Sequence, residues 1–277
     1  RAASLLGACL RTAYAIQPAL GTRLAARLFF TPLPSKLAAR RQRLPSEWVP
    51  EAWPFERTSL TLYRRRDAGP GPVALLVHGW GGHGLQMQAL GDGLAAAGLQ
   101  PVLLDFPAHG RSGGWSSTLP QFLRALEYVA ARLGGVHSLV AHSLGALAAA
   151  AAQGRGLAAQ KLVLLAPSPS PNQVTRWFAG SFGLDDDAHA RMQSHIEARE
   201  GLLLDSFEPD RLAPRLAAPI LLIHDREDRM APFANSERWA ALAPQVTLSA
   251  VAGLGHRRLL ADAGVIDQVR RWCTAKK

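Results

Sequence analysis

The feature that most constrains this chain is the junction of two periodicities at Ser143. Residues 136–140 are an apolar run with one His and one Ser, the length of a buried strand. Residues 144–152 are almost all Ala and Leu, strong helix formers. A strand that enters a helix this abruptly needs a sharp turn, and small neighbours must let the two elements approach. Ala141 and Gly145 supply them, two residues before and two after Ser143. Such a turn holds the serine hydroxyl out at the carboxyl end of a sheet, beside a helix N-terminus that favours negative charge. The plainer alternative is an ordinary strand-to-helix turn with Ser143 as its cap. A small-x-Ser-x-Gly string also occurs by chance, so the rest of the chain decides.

That chain repeats the same alternation. Residues 58–63, 73–77, 101–104, 162–165, 220–223 and 246–251 are further short apolar or alternating runs. Helical patterns at 86–97, 119–133, 239–242 and 262–272 lie among and after them. Strands alternating with helices predict an α/β fold, a mostly parallel sheet covered by helices on both faces. Residues 168–216 break the rhythm. They carry Trp177, Phe178, Phe182, Met192 and Ile196 at helical spacing and are too long for one crossover helix. The expectation is a small helical lid over the carboxyl edge of the sheet; a long crossover is the alternative. Residues 51–277 then form one domain with the lid inserted at about 168–216.

Residues 1–50 read as a basic, amphipathic helical extension. Leu6, Leu10 and Tyr14 share one face, and Leu20, Leu24 and Leu28 another, with a break at Pro18. Seven of the ten formal positive charges fall here, since Arg1, Arg11, Arg23, Arg27, Lys36, Arg40, Arg41 and Arg43 face Glu47 alone. The remainder is close to neutral, which argues against a nucleic-acid partner for the molecule as a whole. The extension is expected to pack on the domain through its leucine stripes, leaving weak attraction to an anionic membrane surface as its other role. Pro32, Pro34 and the cluster from Lys36 to Arg43 read as a connector with a solvated basic face.

The two cysteines, Cys9 and Cys273, give neither a metal spacing nor a disulfide framework, which fits a reducing, cytoplasmic setting. The first residue is Arg rather than Met, which fits removal of upstream residues. Residues 6–9, Leu-Gly-Ala-Cys, weakly match a lipidation box at Cys9, with one turn of an ordinary helix as the simpler reading.

Five segments together resemble the α/β-hydrolase family. Residues 141–145 are similar to its nucleophile elbow G-x-S-x-G, with Ala141 for the first glycine. His78-Gly79-Trp80-Gly81-Gly82 after the 73–77 strand resembles its oxyanion loop. Residues 105–113, Asp-Phe-Pro-Ala-His-Gly-Arg-Ser-Gly, resemble a structural turn of the family, with Ala108 for a glycine. Residues 228–232 resemble the stretch that carries its acid, and His256 lies in a Gly-rich loop where the family places its base.

The resemblance implies a Ser143, His256, Asp228 triad, with Asp225 and Glu227 as competitors for the acid. It implies an oxyanion hole from the backbone N–H groups of Trp80 and Leu144. No cofactor and no metal are called for. His78 and His83 make no credible metal pair, and the 78–84 loop lacks the Lys-Ser/Thr of a phosphate cradle. Hydrolysis of a carboxylic ester with a short to medium acyl chain is the expected reaction, on a small-molecule acyl substrate. His142, Trp177, Phe178 and Phe182 are the expected pocket and lid residues. Amide, thioester or C–C bond cleavage on the same triad, or a non-catalytic pocket, are the alternatives. Oligomeric state is not legible.

Overall fold

The computed structural model describes residues 2–32 and 35–275. Arg1 and Pro34, both used above, lie outside them. The helices are α1 (Ala2–Ile16), α2 (Pro18–Phe29), α3 (Ser35–Arg41), α4 (Gln88–Ala95), α5 (Leu119–Arg132), α6 (Leu144–Gln153), α7 (Pro171–Phe182), α8 (Asp186–Glu200), α9 (Pro209–Leu212), α10 (Phe233–Leu242), α11 (Gly255–Arg258) and α12 (Ala263–Thr274). The strands are β1 (Trp48–Phe55), β2 (Thr58–Arg65), β3 (Val73–Val77), β4 (Gln100–Asp105), β5 (Val136–His142), β6 (Ala159–Leu165), β7 (Ile220–Asp225) and β8 (Val246–Val251).

They form one eight-stranded sheet in the order β1-β2-β4-β3-β5-β6-β7-β8. Only the β1–β2 and β2–β4 pairings are antiparallel. From β4 to β8 every neighbour is parallel. The central strands are continuously apolar because both faces are covered. Leu75, Val102, Leu139, Leu162 and Ile220 point into one core with α5 and α6. Leu76, Leu103, Val140, Val163 and Leu221 point into the other with α4 and α12. In α6 every residue from Gly145 to Gln153 is buried, so small alanines allow the helix to sit close to the sheet and to α5.

Strand β1 has no sequence signal. Pro50 and Pro54 argue against a strand, and only an edge tolerates their missing N–H groups. The expected domain boundary at 50/51 therefore falls inside β1, which is hydrogen-bonded along its length to β2.

The extension forms helices broken at Gln17–Pro18, and only part of each stripe packs: Leu10 is buried, and Tyr14 and Leu28 lie against the same core. Leu20 and Leu24 are 42% and 41% exposed, and Leu6 is 39% exposed. The buried face of α2 is instead Gly21, Thr22, Ala25 and Ala26. Leu10, Ala25, Ala26 and Phe30 share a core with Met192, Ile196 and Leu204 of the 168–216 segment. Small residues win the contact because α1 and α2 lie close to each other and to α8; an added Cβ on Gly21 would fall 2.5 Å from the Tyr14 ring. The basic cluster also departs from expectation at Lys36, which is buried and donates from Nζ to the carbonyl of Ser112 at 2.7 Å. Arg40, Arg41 and Arg43 are exposed.

Residues 168–216 form α7, α8, α9 and short 3₁₀ turns, a helical lid rather than a single crossover. No helix among the described residues is long and apolar enough to cross a membrane. Cys9 is exposed on α1 and Cys273 is buried in α12.

Candidate active site

The junction at Ser143 is as sharp as its periodicity demands. Ser143 has φ 53° and ψ −121° between β5 and α6, a conformation that costs roughly 1–3 kcal/mol. Its N–H donates to the carbonyl of Leu165 at 2.9 Å, which ties the turn to β6. Two close approaches require glycine. A Cβ on Gly145 would lie 2.3 Å from the His78 carbonyl oxygen, and one on Gly79 would lie 2.5 Å from Ser143 Cβ. The loop after β3 is thereby pressed against the serine. His78 holds that loop, donating from Nδ1 to the Gly79 carbonyl at 2.6 Å and accepting at Nε2 from the Phe106 N–H at 3.1 Å. Asp105 accepts from the N–H groups of Gly84 and Arg111 and from the Tyr63 hydroxyl, so the 105–113 turn is structural.

A hydrogen-bonded series runs from the serine. Ser143 Oγ donates to His256 Nε2 at 2.9 Å, and His256 Nδ1 donates to Asp228 Oδ2 at 2.7 Å. Asp228 Oδ1 accepts from the N–H groups of Met230 at 2.7 Å and Ala231 at 3.0 Å. Burial alone would raise the Asp228 pKa. Hydrogen bonds from His224 and His256 and those two N–H groups outweigh it and hold the carboxyl well below the usual range. Asp228 is therefore an anion aimed at an imidazole, as orienting a base requires.

The competing carboxylates do other things. Asp225 Oδ2 accepts from the N–H groups of Leu254 and Gly255, so it anchors the backbone of the loop that presents His256. Glu227 is exposed. Sequence reasoning missed His224, which lies at the end of β7 four residues before Asp228. Its Nε2 lies 3.1 Å from Asp228 Oδ2 and 3.0 Å from the Ala231 carbonyl, two acceptors, so Nε2 carries the proton. Its Nδ1 accepts from the Ser236 hydroxyl at 2.6 Å. A His at a strand's carboxyl end beside the acid is the signal that could have found it.

An apolar cavity of about 450 Å³ opens onto Ser143. Trp80 and Leu144 line it beside the serine, as do Trp177, Phe178 and Phe182 of α7. His142 does not line it. It is buried beneath the site and donates from Nε2 to the His256 carbonyl at 2.8 Å. Burial, then the neighbouring His256, pushes its pKa down to about 3, so it is neutral. The pocket role expected of His142 gives way to a structural one, because successive side chains of β5 point to opposite faces of the sheet. Four other lining residues, Leu28, Phe29, Phe30 and Thr31, come from the extension and carried no functional signal in the sequence. Glu200 is the only charged side chain in the described lining, held by the Thr118 hydroxyl at 3.0 Å. Among the described residues no group of three or more His, Cys, Asp or Glu could hold a metal ion.

A doubly wound sheet with serine, imidazole and carboxylate in series at its carboxyl edge defines the hydrolase class. The chain belongs to the alpha/beta hydrolase family, which it matches over residues 74–268. It is 30% identical over 248 residues to a pimeloyl-[acyl-carrier protein] methyl ester esterase of Xanthomonas axonopodis pv. citri (strain 306), covering 72% of this chain and 94% of that protein. A corresponding esterase of Xanthomonas campestris pv. campestris (strain B100) is 30% identical over 244 residues, covering 73% of this chain and 93% of that one. Among solved structures, Est1E from Butyrivibrio proteoclasticus with bound ferulic acid superposes with a TM-score of 0.63 at 19% identity, over 80% of this chain and 96% of that one. A thioesterase domain from the curacin biosynthetic pathway gives 0.60 at 19% identity, over 80% and 98% of the two chains. These last two likenesses concern the fold alone.

Proposed function

We propose that this hydrolase cleaves carboxylic esters with Ser143 as nucleophile, His256 as base and Asp228 as the carboxylate that orients it. The observation that carries the reading is the unbroken Ser143–His256–Asp228 hydrogen-bond series opening into an apolar cavity. Ser143 Oγ attacks the ester carbonyl while His256 Nε2 takes its proton. The oxyanion forms between the N–H groups of Trp80 and Leu144. The C–O bond then breaks, His256 returns the proton to the departing alcohol, and an acyl-enzyme remains. Water attacks it by the same route and releases the acid. Asp228 stabilises the imidazolium formed at each step.

The lining favours an uncharged acyl chain of short to medium length. Among the described residues it is mostly aromatic and aliphatic, with Glu200 as its only charge, and includes Trp177, Phe178 and Phe182. The esterase relatives favour an ester over an amide, thioester or C–C bond. Reaction with a fluorophosphonate, followed by a panel of p-nitrophenyl esters, thioesters and anilides, tests this. Rapid labelling lost in Ser143→Ala, with esters turned over fastest, is the expected result. A folded protein that resists labelling and cleaves none of the panel would overturn it.

We also propose weak contact between the outer face of α2 and anionic membrane surfaces. Leu20 and Leu24 are outward there and alternate with exposed Arg23 and Arg27.

A further inference from the structure

We propose that the N-terminal helical pair is a fixed wall of the substrate cavity and that Phe29 limits the length of acyl chain the enzyme accepts. This rests on the ester-hydrolase reading and extends it to a segment outside the family match, which begins at residue 74. Phe29 and Phe30 line the same cavity as Ser143. The Phe29 ring meets the Phe178 ring edge-on, with centroids 5.3 Å apart, and Phe178 leans on Phe182 at 4.8 Å. Chain from two remote parts of the sequence thus builds one aromatic corner.

The wall is fastened on both sides. Toward the lid, Arg11 Nη1 donates to the Phe182 carbonyl at 2.7 Å, and the Tyr14 hydroxyl donates to the Ala188 carbonyl at 3.3 Å. An added Cβ on Gly7 would lie 2.9 Å from the same Phe182 oxygen, so α1 sits directly against the end of α7. Toward the sheet, the Ser117 N–H donates to the Phe30 carbonyl at 2.9 Å. Phe30 is 5% exposed, and the Arg199 guanidinium lies over its ring at 5.2 Å. A mobile flap would lack such anchors; a wall needs them. An acyl chain growing toward Phe29 gains roughly fourfold in binding for each methylene it buries, and then loses it on collision with the ring.

The test compares kcat/KM for p-nitrophenyl butanoate and dodecanoate in the full-length protein. Phe29→Ala should raise the dodecanoate-to-butanoate ratio by about tenfold or more, the worth of two buried methylenes. Phe29→Leu, which keeps the packing apolar, should raise it less and covers the case in which the alanine variant does not fold. Leu5→Ala, on the exposed side of α1, should leave the ratio unchanged. A folded Phe29→Ala or Phe29→Leu protein with the parental ratio would overturn the proposal. If the parent cleaves no ester, the ester reading fails by itself, and the wall is judged by binding. Tryptophan fluorescence of Ser143→Ala, read with 1-alkanols of graded length, should then show the tightest-binding length increase when Phe29→Ala is added. An unchanged optimum there would also overturn it.

Discussion

At the scale of single residues, which carboxylate joins the hydrogen-bonded series is decided by direction rather than by type. Asp225 and Asp228 lie three positions apart, and both are buried. Asp225 points at the backbone of residues 254 and 255, and Asp228 at the His256 ring. Asp228→Asn should keep the fold and cut turnover by on the order of 10⁴, since the amide no longer selects the productive imidazole tautomer. Asp225→Asn should instead loosen the loop and act on stability. The depressed pKa of Asp228 adds a pH signature. As pH falls, the unfolded chain takes up this proton first, so stability from Asp228 is complete above about pH 3.9 and is lost with acidification below it. The melting temperatures of the parent and Asp228→Asn should therefore converge as pH drops into that range. A gap that stays constant from pH 7 to the acid limit would contradict the assignment.

At the scale of elements, the junction at Ser143 and the helices of the extension show opposite cases. Strand β5 and helix α6 are both marked by local pattern, one an apolar run and one an alanine run, although only α6 satisfies its own backbone and β5 takes its hydrogen bonds from β3 and β6. For α2 the pattern locates the helix and misleads about its face. Leu20 and Leu24 are outward because Gly21, Ala25 and Ala26 permit an approach that leucine would block, while Leu28 reaches the cavity lining. The exposed Leu20, Arg23, Leu24 and Arg27 face leads to a direct test. In a flotation assay the protein should bind phosphatidylserine-containing vesicles weakly at low salt and not zwitterionic ones. Added salt, or Leu20→Ser with Leu24→Ser, should remove the binding. Binding that survives both changes would exclude α2 as the contact.

At the scale of the molecule, the extension is joined to the hydrolase domain by a buried cation. Lys36 lies against the 105–113 turn, and burial, then the nearby Arg40, pulls its pKa down to about 8. An unfolded lysine titrates near 10.4, so between these values the unfolded chain holds more protons and the folded state gains stability as pH rises. Relative to Lys36→Met, the parent should become more stable from about pH 8 to about pH 10, read as a rising difference in melting temperature. A flat difference would mean that Lys36 reaches solvent. The alternation of strand and helix patterns determined the sheet from β2 to β8, its main covering helices and the elbow, because each is a local pattern along the chain, whereas β1 carried none. The order of segments around Ser143, Asp228 and His256 was legible for the same reason, since each ends a strand or follows one. Other features depended on the tertiary structure alone: His142 beneath His256, Lys36 in the interior and Phe29 in the cavity wall. Each depends on which distant backbone passes within a few ångströms, and no periodicity along one segment encodes what another segment brings to it.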